Sequence, residues 1–152
     1  TDRKHPRLKN YDYSTENYYF VTICTHEKKC IFGAPHCLNQ HGMIAQMAIQ
    51  NIPIHFPGVE VNKFVVMPNH IHMIVELPQN IADLSVMIGQ YKAFVTKKIR
   101  ELSPDMNVWQ RSFHDHIIRN QQGYEKIWQY IDNNPVKWEE DCFYKSAGLQ
   151  NE

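Results

Sequence analysis

The sequence predicts an α+β domain in which strands and helices follow one another in the order β-α-β-β-α-β, with one further helix appended. Segments rich in β-branched and aromatic residues predict the strands, and two longer segments with apolar residues every three or four positions predict the first helices. Proline and glycine separate these segments. The chain has 152 residues, 43% hydrophobic and 21% charged, which fits one globular domain over 1–152.

The first half of the chain contains one strand, one irregular segment and one helix. Residues 18–25, Y-Y-F-V-T-I-C-T, have the composition of a strand. Residues 26–40 are expected to form a hairpin-like excursion with a short strand at 30–32. Gly42 opens a helical pattern that ends at Pro53. Its apolar positions are Ile44, Met47, Ala48 and Ile52.

The second half begins with two strands, 59–66 and 70–77, joined by a tight turn at Pro68 and Asn69. An amphipathic helix over 84–102 follows, and then a loop that enters a short strand at 113–118. A last helix over 122–133 is expected to end before Pro135. Its apolar stripe is Tyr124, Ile127, Trp128 and Ile131.

This order of elements is the ferredoxin-like, split βαβ arrangement. In that topology the first and third strands lie at the centre of an antiparallel sheet, and both helices pack on one face. The other face is free for a site or for the extra helix. The polar segment of about 1–16 is expected to form an N-terminal arm, and residues from about 136–152 form a tail without a clear pattern.

Charge and hydropathy exclude several classes of protein. The 16 Lys and Arg balance the 16 Asp and Glu, so nucleic-acid binding would need a local basic patch. The longest apolar stretches, 18–24 and 73–75, are far shorter than a membrane span. The polar start T-D-R-K-H-P-R-L-K does not resemble a secretory signal. We therefore expect a soluble cytoplasmic protein.

The cysteines do not indicate a metal or redox motif. Cys24, Cys30, Cys37 and Cys142 contain no C-x-x-C pair and are expected to be reduced thiols. His26, Cys30, His36 and Cys37 could form a zinc site on paper. Their spacing fits no standard pattern, and scattered loop residues are the favoured interpretation.

Two histidines on the third predicted strand are candidate metal ligands. His70 and His72 are two residues apart, so both side chains point to one face of the strand. Ile71 and Met73 point to the other face, which is apolar enough to pack on the helices. Two imidazoles at this spacing can bind one divalent ion, although an H-x-H pair alone is more often a pair of polar residues on a solvated face.

The last helix contains a second candidate pair. Tyr130 and Asn134 are one helical turn apart, so the phenol and the amide could face the same ion. The alternative is that Tyr130 is a half-buried aromatic at the edge of the apolar stripe. Pro135 also argues against a regular helix at Asn134.

The histidine pair and the Tyr130–Asn134 pair can be interpreted together because they lie within a set of three sequence segments that follow one another in a fixed order. The segments are P-N-H-I-H-M-I-V, W-Q-R-S-F-H-D-H-I-I-R-N and Y-I-D-N-N-P-V-K-W. Together they resemble the single-tyrosine HUH transposases of bacterial insertion sequences, and most closely the REP-associated tyrosine transposases. The resemblance extends over roughly 11–138. It implies that His70 and His72 are metal ligands, that Tyr130 is the nucleophile, and that Asn134 is the third ligand, where insertion-sequence members often have glutamine.

The resemblance also implies an activity. Such an enzyme uses Mg²⁺ or Mn²⁺ to cleave and rejoin single-stranded DNA, presented as a hairpin, through a 5′-phosphotyrosine intermediate. His116 is a candidate for proton transfer to or from Tyr130, whereas the role of His114 is not assigned. A bacterial, nucleoid-associated location would follow. Some relatives act as homodimers and others as monomers, so both states stay open.

Basic residues supply the candidate DNA contacts, and exposed Tyr11 or Tyr13 could stack on bases. Solvation alone is an equally good explanation for the lysines of the second long helix, which also carries Lys98 and Arg100. The predicted DNA-binding residues are Arg3, Lys4, Arg7, Lys9, Lys92, Lys97 and Arg119.

Two other functions are compatible with the same residues. A catalytically inactive or domesticated relative would only bind structured DNA or RNA. A zinc site with a hydrolytic or structural use would keep the fold and the histidine pair. The intact set of His70, His72 and Tyr130 favours the active enzyme over the inactive relative.

Overall fold

The computed structural model describes residues 16–78 and 83–146. A four-stranded antiparallel sheet has the order β4-β5-β1-β6, so β1 and β5 are central, as the sequence predicts. Two small strands form a separate hairpin. The elements are β1 (Glu16–Cys24), a 3₁₀ turn (His26–Lys28), β2 (Gly33–Ala34), β3 (Cys37–Leu38), α1 (Gln40–Gln50), α2 (Ile52–His55), β4 (Glu60–Met67), β5 (His70–Pro78), α3 (Leu84–Leu102), β6 (His114–Ile118) and α4 (Gln121–Ser146).

One face of the sheet is covered by α1 and α3. Alternate residues of β1 and β5, such as Val21, Ile71 and Met73, are fully buried there against the apolar stripes of the two helices. The stripe of α3 is as predicted, with Leu84, Ile88, Tyr91, Val95 and Ile99 all buried. This larger core fixes the sheet on which the opposite face is built.

The opposite face is crossed by α4 and carries a smaller core. Its buried members are Tyr18, Ile74, Ile118, Tyr124 and Ile131. The predicted stripe of the last helix therefore packs on the sheet, with Ile127 and Trp128 at its margin. The two faces are thus occupied as the ferredoxin-like topology predicts.

Three expectations for residues 26–52 are wrong in detail. The short strand predicted at 30–32 is replaced by the hairpin of β2 and β3, which begins at Gly33 with φ of 98° and turns at Pro35 and His36. Helix α1 begins at Gln40, earlier than Gly42, because the Asn39 side chain caps it through the Gly42 N–H. Met47, assigned to the buried stripe, is 58% exposed, while Ala45 is buried.

The predicted end of the last helix is also wrong. Helix α4 continues through Pro135 to Ser146, so residues 136–146 are not a patternless tail. Pro135 cannot donate a backbone hydrogen bond, yet it is buried, and Ile131 one turn earlier is buried as well. Packing of this turn on the sheet therefore outweighs the local preference of proline.

No helix in the described parts of the chain is both long and apolar enough to cross a bilayer.

Candidate active site

The two histidines of β5 lie on the face that α4 crosses. Strand alternation turns Ile71 and Met73 into the larger core and leaves His70 and His72 on the opposite side, as predicted. Their ring centroids are 4.7 Å apart. A tight turn at Pro68 and Asn69 places His70 at the start of the strand.

Each imidazole has its Nδ1 atom in contact with an oxygen of a neighbouring side chain. Thr22 Oγ1 on the adjacent strand β1 lies 2.9 Å from His72 Nδ1. Asn69 Oδ1 lies 2.8 Å from His70 Nδ1. Such contacts fix the orientation of a ring and leave Nε2 as the nitrogen that can bind a metal.

Asn134 of α4 meets His70 from the other side. Its Nδ2 donates to the Tyr130 carbonyl at 3.2 Å, which turns its Oδ1 toward His70 Nε2, also at 3.2 Å. The Asn69 amide is oriented similarly, because its Nδ2 donates to the Lys28 carbonyl. His70 therefore has an amide oxygen facing each of its nitrogens.

In this arrangement, one of the two nitrogen–oxygen contacts of His70 has no hydrogen atom between its partners. A neutral imidazole carries one N–H and can donate to one of the two oxygens. If His70 donates to Asn69, then His70 Nε2 and Asn134 Oδ1 both present lone pairs to the same point. A cation at that point would satisfy both atoms, so these side chains have the chemistry of metal ligands.

Burial keeps both histidines neutral. Removal from water, together with a smaller effect of the neighbouring His70, lowers the pKa of His72 to about 3. The pKa of His70 is also lowered by burial, against an opposing effect of Asn134, and the charge of Lys28 adds to the lowering. Neutral imidazoles are the form that binds a metal.

Tyr130 lies beside this pair on α4. Its ring centroid is 5.3 Å from that of His72 and 6.1 Å from that of Phe20, and the residue is 49% exposed. The phenol is therefore neither buried in an apolar pocket nor remote from the histidines. A substrate can approach Tyr130 from solvent while the ring edge rests on the sheet.

The first half of α4 is fastened to the sheet by aromatic and polar contacts. Tyr124 packs edge-on against Tyr18 and receives a hydrogen bond from Asn62 Nδ2. Lys63 forms an ion pair with Asp132, and its ammonium lies 4.7 Å from the centroid of the Trp128 ring. These contacts bracket Tyr130 along the helix and hold it over β5.

Of the predicted DNA contacts that the structure describes, the two on α3 lie away from this site. Lys92 and Lys97 are on α3, in the layer across the sheet, and Lys92 Nζ donates to the carbonyls of Gln110 and Ser112. Arg119 is exposed between β6 and α4. Arg3, Lys4, Arg7 and Lys9 lie outside the described residues, as do Tyr11 and Tyr13. The DNA-binding role of all these residues stays a prediction.

His116 is on the same side of the sheet as Tyr130. In the β1–β6 pairing it stands opposite Phe20, and His114 stands opposite Thr22. Both histidines are exposed. The role of His116 in proton transfer stays a prediction.

Sequence reasoning missed three residues that support the site. Thr22 could be found only from the register of β1 against β5, which the sequence does not print. Asn69 was assigned to the turn alone. Trp138, whose ring centroid lies 6.4 Å from that of His70, falls in the predicted tail because the sequence predicts that the helix ends before Pro135.

Within residues 16–78 and 83–146, no three His, Cys, Asp or Glu side chains are grouped so that they could hold one ion. The candidate set is instead two imidazoles and one amide. Asn134 is 8% exposed and His72 is 5% exposed, so both are buried polar side chains at the junction of α4 and the sheet.

Comparison with known proteins identifies the family. The family described as "Transposase IS200 like" matches residues 13–134, which is most of the chain. The chain belongs to the IS200-like transposase family. The matched range includes the histidine pair, Tyr130 and Asn134. The family resemblance inferred from the three sequence segments is therefore confirmed.

Individual relatives agree with this assignment. The chain is 37% identical over 169 aligned positions, 93% of each protein, to an uncharacterized protein of Haemophilus influenzae. It is 37% identical over 78 residues, 51% of this chain and 45% of the relative, to the REP-associated tyrosine transposase of Escherichia coli. A solved REP-associated tyrosine transposase bound to a REP hairpin superposes with a TM-score of 0.61 and 25% identity, covering 90% of this chain and 73% of that one. This structural likeness confirms the α+β fold.

Proposed function

We propose that this transposase cleaves and rejoins single-stranded DNA next to a hairpin, with Tyr130 as the nucleophile. The observation that carries the proposal is the convergence of two elements distant in sequence. Helix α4 brings the Tyr130 ring to 5.3 Å from the His72 ring and the Asn134 oxygen to 3.2 Å from His70 Nε2. The solved relative bound to a REP hairpin supports hairpin DNA as the substrate.

His70, His72 and Asn134 would hold a divalent ion. When bound, Mg²⁺ or Mn²⁺ would polarise a non-bridging phosphate oxygen and offset the negative charge of the transition state. Because Mg²⁺ is usually held by carboxylates and water, a set of two imidazoles and one amide is expected to favour Mn²⁺. Thr22 and Asn69 would orient the two rings through their Nδ1 atoms.

In the proposed reaction, Tyr130 attacks the phosphorus of the cleaved linkage. A bond forms between the phenolic oxygen and phosphorus, and the bond from phosphorus to the 3′ oxygen breaks. The phenol loses its proton, for which His116 is the proposed acceptor, and the departing 3′ oxygen takes up a proton. One phosphate ester replaces another, so the strand can be rejoined by the reverse attack without an external energy source.

Exposure of Tyr130 fits this role. Half of the residue faces solvent, so a DNA strand can reach the hydroxyl, while the contacts on both sides of it along α4 limit its movement. Holding a nucleophile near its target replaces part of the entropy cost of a bimolecular reaction.

The direct test is the formation of a covalent adduct on labelled hairpin DNA taken from beside the chain's own coding region. We expect a protease-sensitive, gel-shifted product with Mn²⁺ that Tyr130→Phe abolishes, while hairpin binding changes by less than about threefold because one hydroxyl is removed from a half-exposed ring. Tyr19→Phe, on β1, is the matched control and should keep the adduct.

Two outcomes would contradict the proposal. An adduct formed by Tyr130→Phe would refute the nucleophile. Binding by the unmodified chain without any adduct in Mg²⁺ or Mn²⁺ would instead identify an inactive DNA-binding relative.

Sedimentation of the free and DNA-bound chain would test the homodimer that some insertion-sequence relatives form.

A further inference from the structure

An open pocket of about 400 Å³ adjoins the histidine and tyrosine cluster. It lies between the edge strand β6, the central strand β1 and the start of α4. Its volume is in the range of pockets that bind small organic groups. The lining residues are Phe20, Thr22, His114, Asp115, His116 and Ile127.

The pocket shares two of its walls with the candidate active site. The Phe20 ring centroid is 5.1 Å from that of His72 and 6.1 Å from that of Tyr130. Thr22 lines the pocket and also contacts His72 Nδ1. A group bound in the pocket would therefore lie next to a phosphate positioned at Tyr130.

The walls favour a flat aromatic ligand. The β1–β6 register puts His114 opposite Thr22 and His116 opposite Phe20, so both imidazoles are on the side of the sheet that carries Phe20. Ile127 adds an aliphatic wall from α4. Aromatic rings and histidines of this kind are surfaces on which unpaired nucleobases stack.

We propose that this pocket, named the β6 pocket, holds an unpaired nucleobase of a nucleotide that adjoins the cleaved linkage. The inference rests on the proposed function, since that function supplies the phosphate beside Tyr130. Stacking in the β6 pocket positions the linkage for attack and makes cleavage depend on a base beside it. Neither His114 nor Ile127 has a role in the chemical step.

The test removes one base from the DNA and one wall of the pocket from the protein, separately and together, and measures binding each time. Nucleotides on either side of the cleaved linkage of the hairpin are replaced one at a time by abasic residues. Binding is measured by fluorescence anisotropy with Tyr130→Phe, so that no turnover occurs. One abasic position should weaken binding about 5- to 150-fold, which corresponds to the ~1–3 kcal/mol of one stacked base.

The same series is then repeated with a pocket variant. In the Tyr130→Phe background, His114→Ala with Ile127→Ala should weaken binding of the intact hairpin by a similar factor and show less than about twofold further loss at that abasic position, since the stacking partner is already gone. His55→Ala, whose ring contacts Phe94 in the other layer, is the matched control and should keep the full loss. Melting temperatures check that each variant is folded.

His116 separates stacking from proton transfer. His116→Phe keeps a flat ring but cannot accept a proton, so it should preserve the abasic effect that His116→Ala reduces. A single-turnover rate that falls in both variants would add proton transfer to the role of His116 without changing the result for the pocket.

The outcomes are distinct from those of the adduct assay. Suppose that each abasic substitution in the DNA weakens binding equally for the protein with an intact pocket and for the pocket variant. That result would refute base binding in the β6 pocket, even if Tyr130 forms its adduct. Coupling at one position without any adduct would support the pocket and refute cleavage.

Discussion

The two faces of the sheet can be compared along a single strand, β5. Met73 and Ile74 are neighbours in sequence and both are fully buried, but Met73 belongs to the larger core under α1 and α3, and Ile74 belongs to the smaller core under α4. On the first face every β5 side chain is apolar, namely Ile71, Met73, Val75 and Leu77. On the second face Ile74 lies between polar residues, with Glu76 on one side and His72, then His70, toward the start of the strand.

The two faces of the sheet have different roles, since one holds most of the hydrophobic core and the other carries the site residues. The closed face buries long apolar stripes from two helices and supplies most of the hydrophobic free energy. The open face is covered by one helix, so its polar side chains sit at the junction of a partly covered sheet with solvent. The site residues are thus held by a scaffold whose larger hydrophobic core lies on the other face of the sheet.

Truncation of a β5 side chain on each face in turn tests whether the two faces have separate roles. Met73→Ala should lower the free energy of unfolding by about 2–5 kcal/mol, as expected for a large buried side chain. Ile74→Ala should lower it less, because its core is smaller, but should reduce adduct formation more, since that core seats α4 and Tyr130. Urea denaturation and single-turnover cleavage measure the two effects. An Ile74→Ala chain with full cleavage would contradict the separation.

The pH dependence of the free energy of unfolding tests whether His72 is buried in its neutral form on the open face. The pKa of folded His72, about 3, lies below the unfolded value of about 6.5, so the unfolded chain binds a proton that the folded chain does not. His72 therefore contributes stability that is complete above pH 6.5 and is lost as the pH falls toward 3, by on the order of 1 kcal/mol per pH unit. Urea midpoints from pH 4 to 8 measure this slope, and His72→Gln should flatten it. An unchanged slope would place the titration elsewhere.

Substitution of Asn134 tests whether this side chain binds a metal or is only a structural amide. Asn134→Ala removes the oxygen that faces His70 and should weaken Mn²⁺ binding by about 10- to 100-fold, the range found when ligand shells are disturbed. Isothermal titration calorimetry measures this affinity. Asn133→Ala, at the exposed neighbouring position, should bind Mn²⁺ normally. Equal affinities in the two variants would exclude Asn134 as a ligand.

Thr22 gives the smallest effect. Thr22→Val keeps the shape of the side chain but removes the hydroxyl that contacts His72 Nδ1. We expect Mn²⁺ affinity to fall by up to about tenfold, while the free energy of unfolding changes by about 1 kcal/mol or less. Calorimetry and urea denaturation provide the two numbers. A large loss of stability without a change in affinity would make Thr22 structural.

The same contrast explains what could be predicted from the sequence. Helical and strand periodicity is produced by burial, so the stripe of α3 and the alternation of β5 were visible in the residues themselves. Thr22 contacts His72 through a strand pairing between segments far apart in the chain. Asn69 is next to His70, but its amide is oriented by the distant Lys28 carbonyl, and no local pattern encodes either long-range contact. The continuation of α4 past Pro135 was missed because tertiary packing outweighs local propensity there.

Mapping the site of the covalent adduct shows whether Tyr130 is the residue that attacks DNA beside the histidine pair. After reaction with hairpin DNA and digestion with nuclease and trypsin, the peptide of residues 127–137 contains Tyr130 as its single tyrosine. Mass spectrometry should find a 5′-linked nucleotide on that tyrosine. A nucleotide on any other residue would rule out Tyr130 as the nucleophile, and a 3′ linkage would rule out release of the 3′ oxygen.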